Sequence, residues 1–312
     1  MRRVLGLIIC AAFAAPAALL ASLSSAAAME GGQSAYLKGY RDFLTGVVPS
    51  QGVQLRHDLY AYSGTERSTV PQGQLTVDAR QVSNILGVTV VTPYTIMGGD
   101  YAFAIRGGVT DIDVDQSVLN WFGATSKRSG SLTSINDVVV NPIMIGWHAG
   151  NFHWNVLAAV FMPAGNYDKN RIANTGRYAW AVSPQFAATW FDPKTGWEIS
   201  GAAIYMNSFA NTDTNYRSGD IVHADFAAGR MLTPAFKLGV VGYYAQQLGA
   251  DSGAGATLGS RRLRIAGVGP GVTYTFALND SVVSLVAKYY REFNAQNTTE
   301  GDAGTLSLRV KF

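Results

Sequence analysis

The chain of 312 residues has one cysteine, 14% charged side chains and almost no excess of one sign, and each shortage excludes something. With Cys10 as the only thiol, no disulfide framework can hold the fold, so backbone ladders and packing must. Low charge beside 48% hydrophobic residues excludes a disordered tail or a charged coiled coil. Setting Arg2 and Arg3 aside leaves 22 basic against 21 acidic residues, which offers nucleic acid no field to neutralise its phosphates. What is abundant is glycine, 34 residues, and aromatics, 14 Phe, 15 Tyr and 6 Trp, a composition that favours β-structure.

Residues 1–28 read as a secretory signal: a basic start at Arg2 and Arg3, an apolar run from Val4 to Leu20, and small residues at Ala26-Ala27-Ala28. A membrane anchor fits less well, because Pro16 interrupts the run and no charged stop follows. Cleavage would leave a chain from Met29 without cysteine. Beyond the signal, no stretch reaches the roughly 18 consecutive apolar residues of a membrane helix.

Period-2 alternation recurs instead. Val53, Leu55 and Leu59 alternate with Gln54, Arg56 and Asp58, with His57 on the apolar side. Phe152, Trp154, Val156, Ala158 and Val160 share a face, and so do Val283, Leu285, Ala287 and Tyr289. The pattern predicts strands over Val53–Tyr62, Ile85–Ile96, Tyr101–Val114, Asp137–His148, Phe152–Met162, Tyr178–Phe191, Trp197–Asn207, Ile221–Met231, Phe236–Gln247, Arg262–Phe276, Val282–Phe293 and Thr305–Phe312. Short turns alternate with longer polar loops at Ser63–Asn84, Asp115–Asn136, Pro163–Arg177, Ser208–Asp220, Leu248–Arg261 and Asn294–Gly304. This asymmetry is that of an all-β, twelve-stranded antiparallel transmembrane β-barrel of the outer membrane, with short periplasmic turns and long extracellular loops. A periplasmic or secreted all-β protein with its apolar faces packed inward is the competing architecture.

Aromatic pairs flank three short turns, Tyr94 with Tyr101, Trp147 with Trp154 and Trp190 with Trp197, where a membrane interface would lie. The last strand puts Leu306, Leu308, Val310 and Phe312 on one face. A terminal aromatic on an alternating strand resembles the signal read by the barrel-assembly machinery, which makes that machinery an expected partner through Phe312.

Scattered residues add a resemblance: Glu30-Gly31-Gly32, Tyr36, Gly39, Asp42-Phe43, Gly46, Pro49 and Gly52, then Asp137, Pro142, Gly146-Trp147-His148, Gly150-Asn151-Phe152-His153, Pro163, Gly165-Asn166-Tyr167-Asp168, Asn207, Asn211-Thr212, Thr214, Tyr216, Ser218-Gly219, Gln247-Leu248, Asp251 and Gly269-Pro270. Together they resemble the outer-membrane transporter family named for the meta-pathway of phenol degradation. The resemblance implies a barrel and uptake of hydrophobic or aromatic compounds, and supplies no site residues.

Function would then reside in the lumen. Alternation predicts that Arg56, Asp58, Arg106, His153, Asn155, Glu198, His223, Asp225, Arg264, Lys288, Glu292 and Arg309 face inward, and their mixed signs suggest a cross-lumen ion-pair network rather than a filter of one sign. Twelve strands give a bore between a filled eight-stranded barrel and an aqueous porin. The segment from Met29 to Gly52 carries Tyr36, Tyr40, Phe43 and Leu44 at helical spacing, which predicts an amphipathic stripe folded into the barrel as a plug; a mobile periplasmic tail is the alternative. The expected division is thus signal 1–28, N-terminal segment 29–52 and barrel 53–312.

The reading that follows is a passive channel or transporter of the bacterial cell outer membrane, partnered by membrane lipids and a small hydrophobic or aromatic solute, with no cofactor and no metal. The alternatives are an outer-membrane hydrolase and a structural or adhesive barrel without flux. No G-x-S-x-G elbow accompanies the four histidines, His57, His148, His153 and His223. His148 and His153 flank one turn, but a metal there needs further ligands that the sequence does not place. Gly253–Gly259 looks like a phosphate loop yet opens no helix, and Gly269-Pro270-Gly271 predicts a bulge.

Overall fold

A computed structural model describes residues 34–312; the expected signal segment lies outside the described residues. Among those residues the regular structure is entirely strand. The strands are β1 (Gly52–Val70), β2 (Gly73–Ile96), β3 (Gly99–Asn120), β4 (Thr125–Ile135), β5 (Val138–Ala149), β6 (Phe152–Met162), β7 (Ala181–Phe191), β8 (Trp197–Ser208), β9 (Ile221–Met231), β10 (Phe236–Gln247), β11 (Arg264–Leu278), β12 (Ser281–Gln296) and β13 (Glu300–Lys311).

Every pairing is antiparallel, and β1 pairs with β13 from Gln54↔Lys311 to Thr65↔Glu300, which closes the sheet. Thirteen strands make a twelve-position barrel because β4 and β5 share one position. The β3 strand pairs with β5 over Asp100–Arg106 and with β4 over Val109–Leu119. Closure through β1 and β13 satisfies backbone groups at membrane depth within the wall, while β4, paired among the described residues with β3 alone, keeps one edge without a strand neighbour on the long-loop side.

Parity sets the two faces. Leu55, Leu59, Phe103, Ile105, Phe186, Ile199, Phe226, Val240, Leu285, Leu306 and Leu308 are exposed on the outside, forming an apolar belt. Near the short turns the stacked pair Trp147–Trp154, with ring centres 6.3 Å apart, and the exposed Tyr94 and Trp197 occupy one rim. Amphipathic rings suit the headgroup layer there.

Three expectations need correction. Ser63–Asn84 and Asp115–Asn136 are strand rather than loop: β1 and β2 run on to a turn at Pro71-Gln72, and β3 and β4 to a turn at residues 121–124. Alternation continues through Leu75, Val77 and Ala79 and through Ile112, Val114 and Val118, whose inner face is covered by Ile172, Ala173 and Leu258 from other loops. Their outer face carries Thr76, Asp78, Asp113 and Asp115, polar residues suited to water beyond the lipid belt. The expected loop Asn294–Gly304 shrinks to a turn between β12 and β13.

Gly269-Pro270-Gly271 makes no bulge. Pro270 pairs with Val240, Gly269 with Val241 and Gly271 with Gly239, in unbroken register. The irregularity lies between Arg264 and Ala266 against β12, where Asn294 adopts a positive φ of 59°. A second shift, on β5 between Val140 and Ile143, coincides with Pro142, which has no N–H to give the ladder.

Candidate functional site

The interior is crossed by residues 34–51. No helix forms there, contrary to the helical spacing of its apolar residues. Gly39 sits in the left-handed region with φ 67°, and a Cβ on it would lie 2.7 Å from the Tyr290 ring. The segment proceeds by turns, with Tyr40 N bonded to Leu37 O at 3.1 Å and Val47 N to Leu44 O at 2.9 Å.

Its remaining polar groups are met by inward side chains of the wall. Tyr36 Oη donates to Asp225 at 2.6 Å, and the same carboxylate accepts Arg41 N at 3.0 Å. Asp42 faces Arg309 at 2.6 Å and Lys288 at 3.0 Å. Lys288 also donates to Gly39 O at 2.7 Å. Lys38 pairs with Glu292, which further accepts Tyr62 Oη at 2.9 Å and Gly301 N at 2.9 Å. Glu198, fully buried, accepts Leu44 N and pairs with Lys237. Gly46 N donates to Thr189 Oγ1 at 2.9 Å, and Asn155 Nδ2 to Thr45 O at 2.8 Å. Buried ion pairs of this kind contribute little net stability against hydrophobic replacement, but breaking one partner is costly, so they fix one path for the chain.

The aromatic residues of the segment divide. Tyr36 and Phe43 are buried, whereas Leu44 is 39% exposed, with its side chain outside the packed cluster. Phe43 fits where Gly229, Gly239 and Gly271 leave the wall without side chains. Two guanidinium groups lie over the ring of Tyr40, Arg56 at 4.1 Å and Arg106 at 4.5 Å from its centre.

Among the residues that alternation assigned to the lumen, Arg56, Asp58, Arg106, Asn155, Glu198, His223, Asp225, Lys288, Glu292 and Arg309 converge on this segment or on its immediate partners. His153 stands apart, at the short-turn rim, with its Nδ1 2.7 Å from Nδ1 of His148. Asp100 lies 3.6 Å from the other nitrogen of His148, so the three do not converge on one point. Among the described residues no group of three or more His, Cys, Asp or Glu is arranged to hold a metal ion. His57 is bonded to Asn84 on the outside of the wall at 3.3 Å.

Arg264 is a correction. Leu263 and Ile265 are buried in the interior cluster, so Arg264 between them points outward, where it reaches Asn294 at 3.2 Å. Parity holds through the glycines that follow, and Gly267 and Gly271 again lie on the inner face against Tyr243 and Phe43.

Sequence reasoning missed Lys38, Arg41, Asp42, Gln185, Thr189, Lys237, Tyr243 and Tyr290. Parity on β7, β10 and β12 was the signal available for five of them. The other three belong to the irregular segment, which has no period to read.

Ser34 Oγ lies 2.8 Å from His223 Nε2. Asp225, two residues on along β9, is engaged by Tyr36 and Arg41 rather than by the imidazole, so among the described residues the pair has no orienting carboxylate of a triad.

The segment divides the open volume. A cavity of about 220 Å³ on the long-loop side is lined by Tyr60, Tyr62, Ile112, Phe161, Leu263 and Arg177 among others. One of about 510 Å³ on the short-turn side is lined by Tyr40, Met144, Leu157, Phe191, Met231 and Thr273 among others. Tyr36 and Arg106 line both.

Comparison with known proteins follows the same lines. The fold is similar to the crystal structure of the COG4313 outer membrane channel from Pseudomonas putida F1, with a TM-score of 0.64, 14% identity, and coverage of 85% of this chain and 97% of that one. A looser likeness, TM-score 0.47 at 9% identity, joins it to the β domain of the Bordetella autotransporter BrkA, over 85% of this chain and 100% of that one. Among curated protein sequences none matches the chain. With a family model matching residues 63–308, nearly the whole barrel, the chain belongs to the family described as "Putative MetA-pathway of phenol degradation".

Proposed function

We propose that this protein is a passive channel of the bacterial outer membrane for small hydrophobic or aromatic compounds, with residues 34–51 as a plug that governs passage. The observation carrying this reading is the division of a closed, lipid-belted barrel into two cavities, each lined by aromatic and aliphatic side chains beside polar ones and separated by one side-chain-anchored segment. Volumes of 220 and 510 Å³ suit small organic molecules rather than hydrated oligomers. A segment held by side-chain bonds and lacking a ladder can leave its seat without opening the wall. The structural relative from Pseudomonas putida F1 is itself described as an outer membrane channel, and the family is named for phenol degradation, which supports the same solute class.

The test is flux. Liposomes containing the protein should take up a neutral aromatic such as benzyl alcohol faster than a sugar of similar size. Deleting residues 30–45 should raise single-channel conductance several-fold. Unchanged conductance in a deletion variant that inserts normally would remove the plug, and equal uptake of sugar and aromatic would remove the solute class.

A further inference from the structure

Arg106 differs from the other interior cations. Lys38, Arg56, Lys237, Lys288 and Arg309 each pair with a carboxylate. Arg106 has no such partner among the described residues; its contacts are the ring faces of Tyr40 at 4.5 Å and Phe161 at 6.0 Å. It also lines both cavities, at the place where they meet beside the segment. Arg41, the nearest comparable group, is engaged by Gln185 at 3.1 Å and Thr45 at 3.1 Å.

A half-buried guanidinium without a carboxylate is poorly compensated, and aromatic faces offset it only in part. Ring contacts supply no acceptor for its N–H groups, and the group borders both cavities, so a carboxylate entering either one could meet the guanidinium fork bidentately. Lys288 and Arg309 share Asp42 and Arg41 has only neutral partners, so the interior around Arg106 carries excess positive charge that an anionic solute would offset. From this we infer that the preferred solute is an amphipathic monocarboxylate, whose carboxylate docks on Arg106 while its apolar body lies against Phe161, Tyr60 and Leu263. This inference rests on the channel reading and narrows its solute class.

Equilibrium dialysis of the detergent-purified protein against 3-phenylpropionate and 3-phenylpropanol, which share a carbon skeleton, tests it at neutral pH. The wild type should prefer the acid by about tenfold or more, the scale of a charge-assisted bidentate contact. In R106Q the preference should fall towards one, and R106K should keep part of it, because lysine retains the charge but not the fork. A merely structural Arg106 would leave the acid-to-alcohol ratio unmoved in R106Q, which overturns the inference, as would a wild type without preference. Liposome flux of the two solutes separates the underlying reading: an acid that binds through Arg106 yet does not cross supports the site and removes the channel.

Discussion

Strand β9 and residues 36–46 touch inside one barrel, through Tyr36 and Asp225, yet they satisfy their backbones by different means. The N–H and C=O groups of β9 pair with β8 on one side and β10 on the other along its length. The segment has few backbone partners of its own and takes its bonds from Asp225, Glu198, Thr189, Asn155 and Lys288. A chain enclosed in a lumen still has to satisfy its polar groups. The inner face of the wall is therefore polar at the positions the segment needs, and its charges act as docking groups rather than as a lining for water.

Three substitutions sharpen that contrast. The largest effect should come from the wall: Leu285→Arg, on the lipid face of β12 within the apolar belt, should lower the folding stability measured by urea titration in lipid by about 2–4 kcal/mol. Lumen solute binding in the folded fraction should be unaltered, and a loss of binding there would show that wall and segment are coupled. Next, Tyr36→Phe removes a hydrogen bond to a carboxylate and should weaken docking of the segment by about 1.5 kcal/mol. Amide hydrogen exchange should quicken in residues 36–46 and not in β9; equal quickening in both would contradict the division. The smallest effect belongs to a turn. Gly150 has φ 58°, and a Cβ added there would meet nothing within 4 Å. Gly150→Ala should therefore destabilise by only about 1 kcal/mol, the cost of a left-handed alanine. A larger loss in the same titration would mean that the turn between β5 and β6 bears on the neighbouring His148–His153 pair.

Legibility followed the same boundary. The belt positions of β6, β12 and β13 and the inward placement of Arg56, Asp58, Glu198 and Glu292 could be read from alternation. The upper parts of β1 to β4 keep the period through Leu75, Val77, Ile112 and Val114, but their outer face meets water, so the composition looks like loop while the geometry is strand. Arg264 shows the opposite error: alternation read from the strand's start puts this charge inward, whereas burial of Leu263 and Ile265 on either side places it outside. The contacts of the segment had no local signal at all. Lys38 and Glu292 are 254 residues apart in the chain, and Asp42 and Arg309 are 267 apart.

By itself, then, the sequence determined which face of most strands meets lipid, because side-chain direction in an extended chain is set by the backbone of neighbouring residues. Only the tertiary structure decided that β4 and β5 share a position, that the segment crosses the lumen without a helix, and that Arg106 is left without a carboxylate. Those outcomes depend on ring closure and on which distant side chains closure brings within bonding distance, and no pattern confined to neighbouring residues carries that information.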